Sequence, residues 1–100
     1  VDGDNVLPSD FKLYQNYPNP FNPATIIKYS LTHKERVQLN IYNILGRKVK
    51  TLVDRIESAG QYEIVWDGTD DSHHDAASGI YFYRIIIGNG AKTRKMILLK

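Results

Sequence analysis

Cysteine is absent from the 100 residues of this chain, which excludes disulfide bridges, thiol catalysis and zinc sites built on cysteine. No apolar run approaches the roughly 18 residues that a membrane-spanning helix requires. The pattern of a signal peptide is also missing, and Val1 stands where an initiator Met would. We therefore expect no membrane span, and we expect the chain to be part of a longer polypeptide in which residues 1–10 form the end of a linker.

A large excess of charge of one sign is also absent. The chain carries 13 basic and 11 acidic residues, a net charge of +2 and a pI near 8.9. Nucleic-acid-binding proteins usually concentrate their basic residues on one face, whereas here Lys and Arg are interleaved with Thr, Asp and Glu. The densest basic stretches, residues 47–50 and 92–95, are typical of solvated strand faces and protected sheet edges. We therefore expect no nucleic-acid partner.

Residue types that catalyse reactions are present, but their spacing does not build a catalytic site. The serines lack the glycine pattern of a nucleophile elbow, and no histidine lies in an apolar, oriented setting. Glu35, Glu57 and Glu63 fall on predicted strands or strand ends, where solvated faces explain them. A glycine-rich phosphate loop is missing too. We therefore expect neither an enzyme nor a cofactor.

The polar segment 67–79 contains the densest cluster of oxygen and nitrogen ligands, namely Asp67, Asp70, Asp71, His73, His74 and Asp75. Its acidic start has a passing likeness to a calcium loop, but the alternating carboxylates and the final Glu of an EF-hand are missing. Adjacent histidines on an extended loop point apart, so they rarely share one metal. The pattern therefore favours side-chain turns, with a calcium site as the alternative.

Three of the four prolines fall within Tyr17–Pro23, a heptapeptide in which asparagines alternate with the prolines. Proline fixes φ and lacks an N–H donor, and asparagine side chains favour turns. The segment can therefore be neither a helix nor a central strand. We expect a stiff, extended connector whose two rings, Tyr17 and Phe21, pack onto the core.

Alternation of apolar and polar residues dominates elsewhere, and no segment has a convincing helical period. Strands are predicted over residues 11–17, 24–31, 36–42, 47–53, 61–66, 80–87 and 92–99. Val37, Leu39 and Ile41 give the cleanest period of two and are expected to point inward. The β-branched and aromatic run 80–87 indicates a central strand that is buried on much of both faces.

Turn signals separate these strands. Asn43–Gly46 predicts a tight turn with a left-handed Gly46, and Asn89-Gly90 predicts a two-residue hairpin. Short strands at regular spacing are typical of an all-β fold. We therefore predict an antiparallel β-sandwich of about seven strands with immunoglobulin-like architecture.

The tyrosines raise the possibility of a sugar-binding surface. Exposed aromatic rings in a row stack on sugars, and Tyr42, Tyr81 and Tyr83 would form such a row if they faced solvent. Tyr81 and Tyr83 lie in the predicted central strand, however, which favours core packing. An accessory carbohydrate-binding module of a secreted polysaccharide-degrading enzyme remains an alternative function, and a structural spacer domain is another.

Several motifs in the same order resemble one known family. The chain is similar to the type A C-terminal sorting domains of the type IX secretion system over residues 11–100, and the segments that carry the resemblance are Leu13–Thr25, Ile41–Arg47, Ser58–Gly60, Trp66–Ser72, Ala77–Arg84 and Lys95–Lys100. The related immunoglobulin-like domain of flagellar hook-capping proteins shares the Trp-Asp-Gly and Gly-x-Tyr portions, but it is not expected to have this C-terminal ending.

The resemblance implies a non-catalytic module at the end of a larger exported protein. In the family, the domain follows a cargo domain through the periplasm and is read by an outer-membrane translocon. A sortase-like peptidase commonly cleaves it, and the cargo is released or joined to an anionic lipopolysaccharide. The implied location is the cell surface or the extracellular space.

The resemblance also places the recognition signal in the last strands. Gly79 and Tyr81 match its Gly-x-Tyr motif, and its terminal basic-apolar-basic motif matches Lys95, Met96, Ile97, Leu98, Leu99 and Lys100. The run His73–Ala76 departs from the glycine and proline common in the family, which weakens any ligand role of that loop. Since edge strands are natural docking templates, we expect the last strand to offer an accessible edge, at the opposite end of the domain from the prolines.

Overall fold

The computed structural model describes residues 7–100, although not the side chain of Pro8. The predicted linker, residues 1–10, therefore lies largely outside the described residues. Its last part, Pro8–Asp10, forms a single 3-10 turn. The carbonyl of Asp10 accepts a hydrogen bond of 3.0 Å from the Thr32 amide, so this turn is attached to the sandwich.

Seven strands follow, numbered β1 to β7 in chain order: Phe11–Leu13, Thr25–Leu31, Glu35–Asn43, Lys48–Glu57, Gly60–Trp66, Gly79–Ile87 and Gly90–Leu98. They form a three-stranded sheet in the order β1-β2-β5 and a four-stranded sheet in the order β4-β3-β6-β7, with antiparallel pairing throughout. The predicted all-β sandwich is confirmed. Within residues 7–100, no helix is long and apolar enough to cross a bilayer.

The core lies between the two sheets and follows the alternation in the sequence. Strands β2 and β3 bury every second residue, as predicted, with Ile27 and Tyr29 from β2 and Val37, Leu39 and Ile41 from β3 almost fully buried. Opposite faces of these strands carry polar residues. This pattern is the ordinary consequence of a sheet that packs on one face only.

Strand β4 departs from the predicted bounds and from regular alternation. It extends from Lys48 to Glu57, and its register with β3 shifts so that Leu39 faces Val53 whereas Asn40 faces Thr51. A second shift pairs Ile41 with Lys50 and Tyr42 with Lys48. The two extra residues, Leu52 and Val49, are bulges, which break the period of two. As a result Val53 is buried, whereas Val49 and Leu52 are only partly buried against the core.

Strand β6 is central, as predicted, but only one of its faces is buried. Tyr81, Tyr83, Ile85 and Ile87 point into the core, whereas Ile80 is 37% exposed and Arg84 also reaches solvent. The expectation of burial on both faces is therefore wrong. In the described part of the chain, the four-stranded sheet has core packing on its inner face alone.

The hairpin between β6 and β7 is confirmed, but its turn is one residue earlier than predicted. Ile87 pairs with Gly90, so the two turn residues are Gly88 and Asn89. Gly88 has a φ of 56°, the left-handed conformation that two-residue hairpins require of their first residue. The tight turn after β3 is also confirmed, because Gly46 has a φ of 80° and its amide bonds to the Asn43 carbonyl at 2.9 Å.

Candidate functional site

The residues predicted to carry the recognition signal gather at one end of the four-stranded sheet. Gly79 pairs with Leu98, and Tyr81 pairs with Met96, along the last two strands. The Gly-x-Tyr motif and the terminal motif, separated in sequence, are therefore neighbours in space. Their side chains nevertheless have different surroundings.

Three of these side chains point into the core. Tyr81 is 7% exposed, and Met96 and Leu98 are fully buried. The Tyr81 ring lies 5.2 Å from the Trp66 ring in an edge-to-face arrangement, and its hydroxyl donates to the Ala77 carbonyl at 2.6 Å. In the folded domain these three residues contribute to packing and are not available for contact with a partner.

Gly79 and Lys100 lie beside each other at the loop that enters β6. Gly79 has a φ of 153°, and a Cβ placed there would meet no atom within 4 Å, so the backbone conformation rather than space requires glycine. The Lys100 amide donates to the Ser78 hydroxyl at 2.9 Å, and its ammonium lies 3.8 Å from the Asp75 carboxylate. Lys100 thus tethers the end of the chain to this loop.

The predicted accessible edge of the last strand is wrong for its final residues, Ile97 to Leu99. Strand β7 does stand at the edge of its sheet, but Phe21 lies along it in a parallel bridge to Leu98. The Phe21 amide donates to the Ile97 carbonyl, and the Leu99 amide donates to the Phe21 carbonyl, both at 2.9 Å. The side chain of Asn19 accepts from the Ile97 amide at 2.9 Å. The proline segment and the terminal motif are in direct contact, not at opposite ends.

The earlier part of β7 is joined to the three-stranded sheet by side chains, and the Gln15 side chain donates to the Lys95 carbonyl at 2.8 Å. The Lys92 ammonium donates to the Phe11 carbonyl, and the Arg94 guanidinium donates to the Leu13 carbonyl, each at 2.7 Å. These bonds link β7 to β1 across the two sheets. The basic stretch 92–95 therefore protects an edge, as predicted, but does so by binding the neighbouring strand.

One ring of the proline segment is buried and the other is exposed. Phe21 is 1% exposed and packs 5.6 Å from the Trp66 ring, as predicted. Tyr17 is 78% exposed, so its predicted packing on the core is wrong. The backbone of Tyr17 pairs with Ile26, donating at 3.0 Å and accepting at 2.9 Å, which leaves its ring on the solvent side of β2.

A buried polar network behind the proline segment was not predicted from the sequence. Asn16 and Thr25 are both buried, and the Asn16 amide side chain donates to the Thr25 hydroxyl at 3.0 Å. Thr25 in turn donates to the Pro18 carbonyl at 2.9 Å. The backbone amide of Asn16 donates to the Tyr83 hydroxyl at 2.8 Å, and that hydroxyl donates to the Tyr14 carbonyl at 2.6 Å. Burial raises the pKa of Tyr83 to about 12.

The acidic loop forms the predicted side-chain turns. The Asp67 carboxylate accepts from the amide and hydroxyl of Thr69 at 3.0 and 2.6 Å, and the hydroxyl bond lowers the Asp67 pKa. Asp70 accepts from the amides of His74 and Ser72, both at 2.9 Å, which lowers its pKa as well. Among residues 7–100, no group of three potential ligands is placed to hold a metal.

The aromatic side chains do not form an exposed row for sugar stacking. Tyr83 and Trp66 are fully buried, and Tyr81 nearly so, which confirms the core-packing interpretation. Tyr42 is half-buried on the outer face of the four-stranded sheet. Its neighbour on that face, Phe82, is half-buried as well, so the two partly covered rings provide little area for a sugar.

The comparisons with known proteins agree with this geometry. A family model described as the secretion system C-terminal sorting domain matches residues 15–99. The chain therefore belongs to the family of secretion system C-terminal sorting domains, and the predicted resemblance to type IX sorting domains is confirmed. No curated protein matches the chain.

Solved structures with the same fold include two from Porphyromonas gingivalis. Dimeric latent PorU superposes with a TM-score of 0.73 at 22% identity over 89% of this chain. PorZ, an essential bacterial surface component of the type IX secretion system, superposes with a TM-score of 0.61 at 17% identity over 88% of this chain. The chain spans only 9% and 11% of these two proteins.

FlgD from P. aeruginosa is also similar, with a TM-score of 0.60 and 20% identity, and here the match covers 88% of this chain and 64% of that chain. At these identities the structural likeness establishes the fold alone. The family assignment depends on the sequence match.

Proposed function

We propose that this domain is a non-catalytic module that directs a larger secreted protein across the outer membrane, for release or for attachment to the cell surface. The observation that carries the proposal is the family match over residues 15–99. The domain ends in a strand whose outward residues remain open to a partner, which is consistent with a signal read after folding. A catalytic role finds no support in the polar clusters, because their carboxylates are engaged in turns.

The proposed partners are the outer-membrane translocon, a sortase-like peptidase and an upstream cargo domain. The cargo would pass through the periplasm before it reaches the translocon. A partner that reads the folded domain must use residues that are accessible there. Of the predicted signal residues, Lys95, Leu99 and Lys100 are exposed, and Gly79 and Ile97 are half-buried.

Fusion to a reporter tests this proposal. Residues 1–100 are fused to a periplasmic reporter protein in a host with a type IX secretion system, and the reporter is quantified in the periplasm, on the cell surface and in the medium. We expect the reporter to leave the periplasm in this host and to stay there in an isogenic host without the translocon. A reporter that stays periplasmic in both hosts would overturn the proposal.

A truncation provides a second measurement. Deletion of residues 93–100 removes the buried Met96 and Leu98 together with the exposed signal residues, and export is expected to stop. Unchanged export of the truncated fusion would contradict a signal in the last strand.

A further inference from the structure

The outer face of the four-stranded sheet is an open surface next to the last strand. The inner face of β7 is core at Met96 and Leu98, and between Lys95 and Leu99 its edge is bonded to Gln15, Asn19 and Phe21. The outer face of the four-stranded sheet is what remains available along this part of the last strand. Lys95 and Ile97 lie on this face, because they alternate with the buried Met96 and Leu98.

A continuous row of side chains crosses this face from one sheet edge to the other. Lys48 pairs with Tyr42, Tyr42 pairs with Phe82, and Phe82 pairs with Lys95. Residues paired in this way project from the same side of the sheet. The row therefore has two aromatic rings in the middle and an ammonium group at each end.

The neighbouring rows extend the same arrangement. Ile80 pairs with Ile97 on one side of the central row, and Arg84 pairs with Thr93 on the other. Together these side chains define the basic outer face, which consists of Tyr42, Lys48, Ile80, Phe82, Arg84, Lys95 and Ile97. Its centre is apolar, and its cations stand around that centre.

The cations of this face have no ion-pair partner within the described part of the chain. Lys48, Arg84 and Lys95 make no ion pair with any residue in the range 7–100. Asp54 is the acidic residue that points outward from the strands of this sheet, and it is already paired with Arg36 at 2.7 Å. On the opposite sheet, by contrast, Lys28 is paired with Glu63 at 3.4 Å.

The face also contains a shallow groove of about 300 Å³. Its lining residues are Tyr42, Asn43, Ile44, Gly46, Phe82, Arg84 and Thr93. Aromatic residues and arginine around a partly apolar centre are the composition that favours protein interfaces. The aliphatic side chains of Ile80 and Ile97 beside the rings suit apolar residues better than hydroxylated sugar rings.

We propose that the basic outer face docks an acidic protein surface of the export machinery, with carboxylates against Lys48, Arg84 and Lys95 and an apolar side chain over Tyr42 and Phe82. The backbones of Lys48 and Lys95 are separated by three strand spacings, about 14 Å. The partner must therefore distribute its carboxylates over a comparable span, which a single small anion cannot do. This inference rests on the proposed sorting function and names the chemistry of the partner.

Charge reversal in the reporter fusion tests the inference. The double variant Arg84→Glu and Lys95→Glu is compared with the matched control Lys12→Glu and Lys34→Glu, which changes the net charge equally at exposed, unpaired sites away from this face. We expect the exported fraction to fall by about tenfold or more in the first variant, because like charges across an interface repel strongly. The control is expected to export like the wild type.

Thermal unfolding of the isolated domains checks that both variants fold. Phe82→Ala is a further variant, which removes a ring without changing charge, and its export is expected to fall as well. Equal export of the wild type and both charge variants would overturn the docking inference while leaving the sorting function intact. No export of the wild-type fusion would instead overturn the sorting function. A third outcome is that the purified domain binds polygalacturonate and that the first variant loses this binding but is exported normally. That outcome would assign the face to an anionic glycan and reject a protein partner.

Discussion

At the scale of single residues, the hydroxyl group of Tyr83 connects the core to the proline segment. It accepts from the backbone amide of Asn16 at 2.8 Å and donates to the backbone carbonyl of Tyr14 at 2.6 Å. Both backbone groups lie between the end of β1 and the start of the proline segment. Buried polar groups without partners are costly, so this one hydroxyl supplies a partner for two backbone groups that do not pair with β2.

Replacement of Tyr83 by Phe keeps the ring and removes both hydrogen bonds. We expect the free energy of unfolding to fall by about 1–3 kcal/mol, because two buried backbone groups lose their partner. Tyr62→Phe is the matched control, since the Tyr62 hydroxyl bonds to the Ser58 carbonyl at the surface. Urea unfolding of both variants measures the difference, and equal stabilities would contradict this role of Tyr83.

At the scale of elements, the proline segment Tyr17–Pro23 lies along the end of the β7 edge, and we call it the strap. Its prolines have no N–H groups, so they cannot extend a ladder, yet Asn19 and Phe21 supply the few bonds that reach Ile97 and Leu99. The buried Phe21 ring holds the strap in place against Trp66. The end of an edge that would otherwise be a template for pairing with another chain is thereby closed.

Phe21→Ala tests the strap. We expect a loss of stability of about 3–5 kcal/mol, which is typical when a buried Phe is truncated, and faster hydrogen exchange at the Leu99 amide that Phe21 covers. Tyr17→Ala is the control, because Tyr17 is 78% exposed and surface substitutions usually change stability by less than about 0.5 kcal/mol. Unchanged exchange at Leu99 in Phe21→Ala would show that the strap does not depend on the ring.

The contrast between Tyr17 and Phe21 also shows what the sequence could and could not predict. Strands β2 and β3 were predictable because a sheet with one buried face imposes a period of two on its residues. The proline segment has no such period, so the sequence does not tell which of its rings is buried. The bonds of this segment to β7 join residues as far as 78 positions apart, and no local pattern encodes such a pairing.

The same reasoning applies to the candidate site. The motifs correctly indicated that Gly79, Tyr81 and the last strand belong together, but they did not separate packing residues from accessible ones. That separation needs the direction of each side chain, which follows only when β7 is placed on β6. The basic outer face was missed because Lys48, Arg84 and Lys95 lie on three different strands and become neighbours through strand order alone.

At the scale of the whole molecule, the core contains tyrosines whose ionisation opposes folding. Burial raises the pKa of Tyr29, and its hydrogen bond to the buried Glu57 carboxylate raises that pKa further. Burial also raises the pKa of Tyr81 and brings that of Tyr83 to about 12. In the unfolded chain these phenols titrate near their ordinary pKa of about 10.

The domain should therefore lose stability at alkaline pH. Above about pH 10 the unfolded chain releases phenolic protons that the folded domain retains, so the unfolded state binds fewer protons and the free energy of unfolding falls as pH rises. The contribution of each tyrosine is complete below its unfolded pKa and is lost as pH approaches its folded pKa. For Tyr83 alone we expect a loss of about 1–2 kcal/mol between pH 10 and 12, since each pKa unit corresponds to 1.36 kcal/mol before solvent screening is considered.

Urea unfolding from pH 8 to pH 12 measures the dependence of stability on pH, and the stability of Tyr83→Phe should decline less steeply than that of the wild type over the same range. A wild-type stability that is constant up to pH 12 would contradict the burial of these phenols, because protons retained only in the folded state must make stability depend on pH.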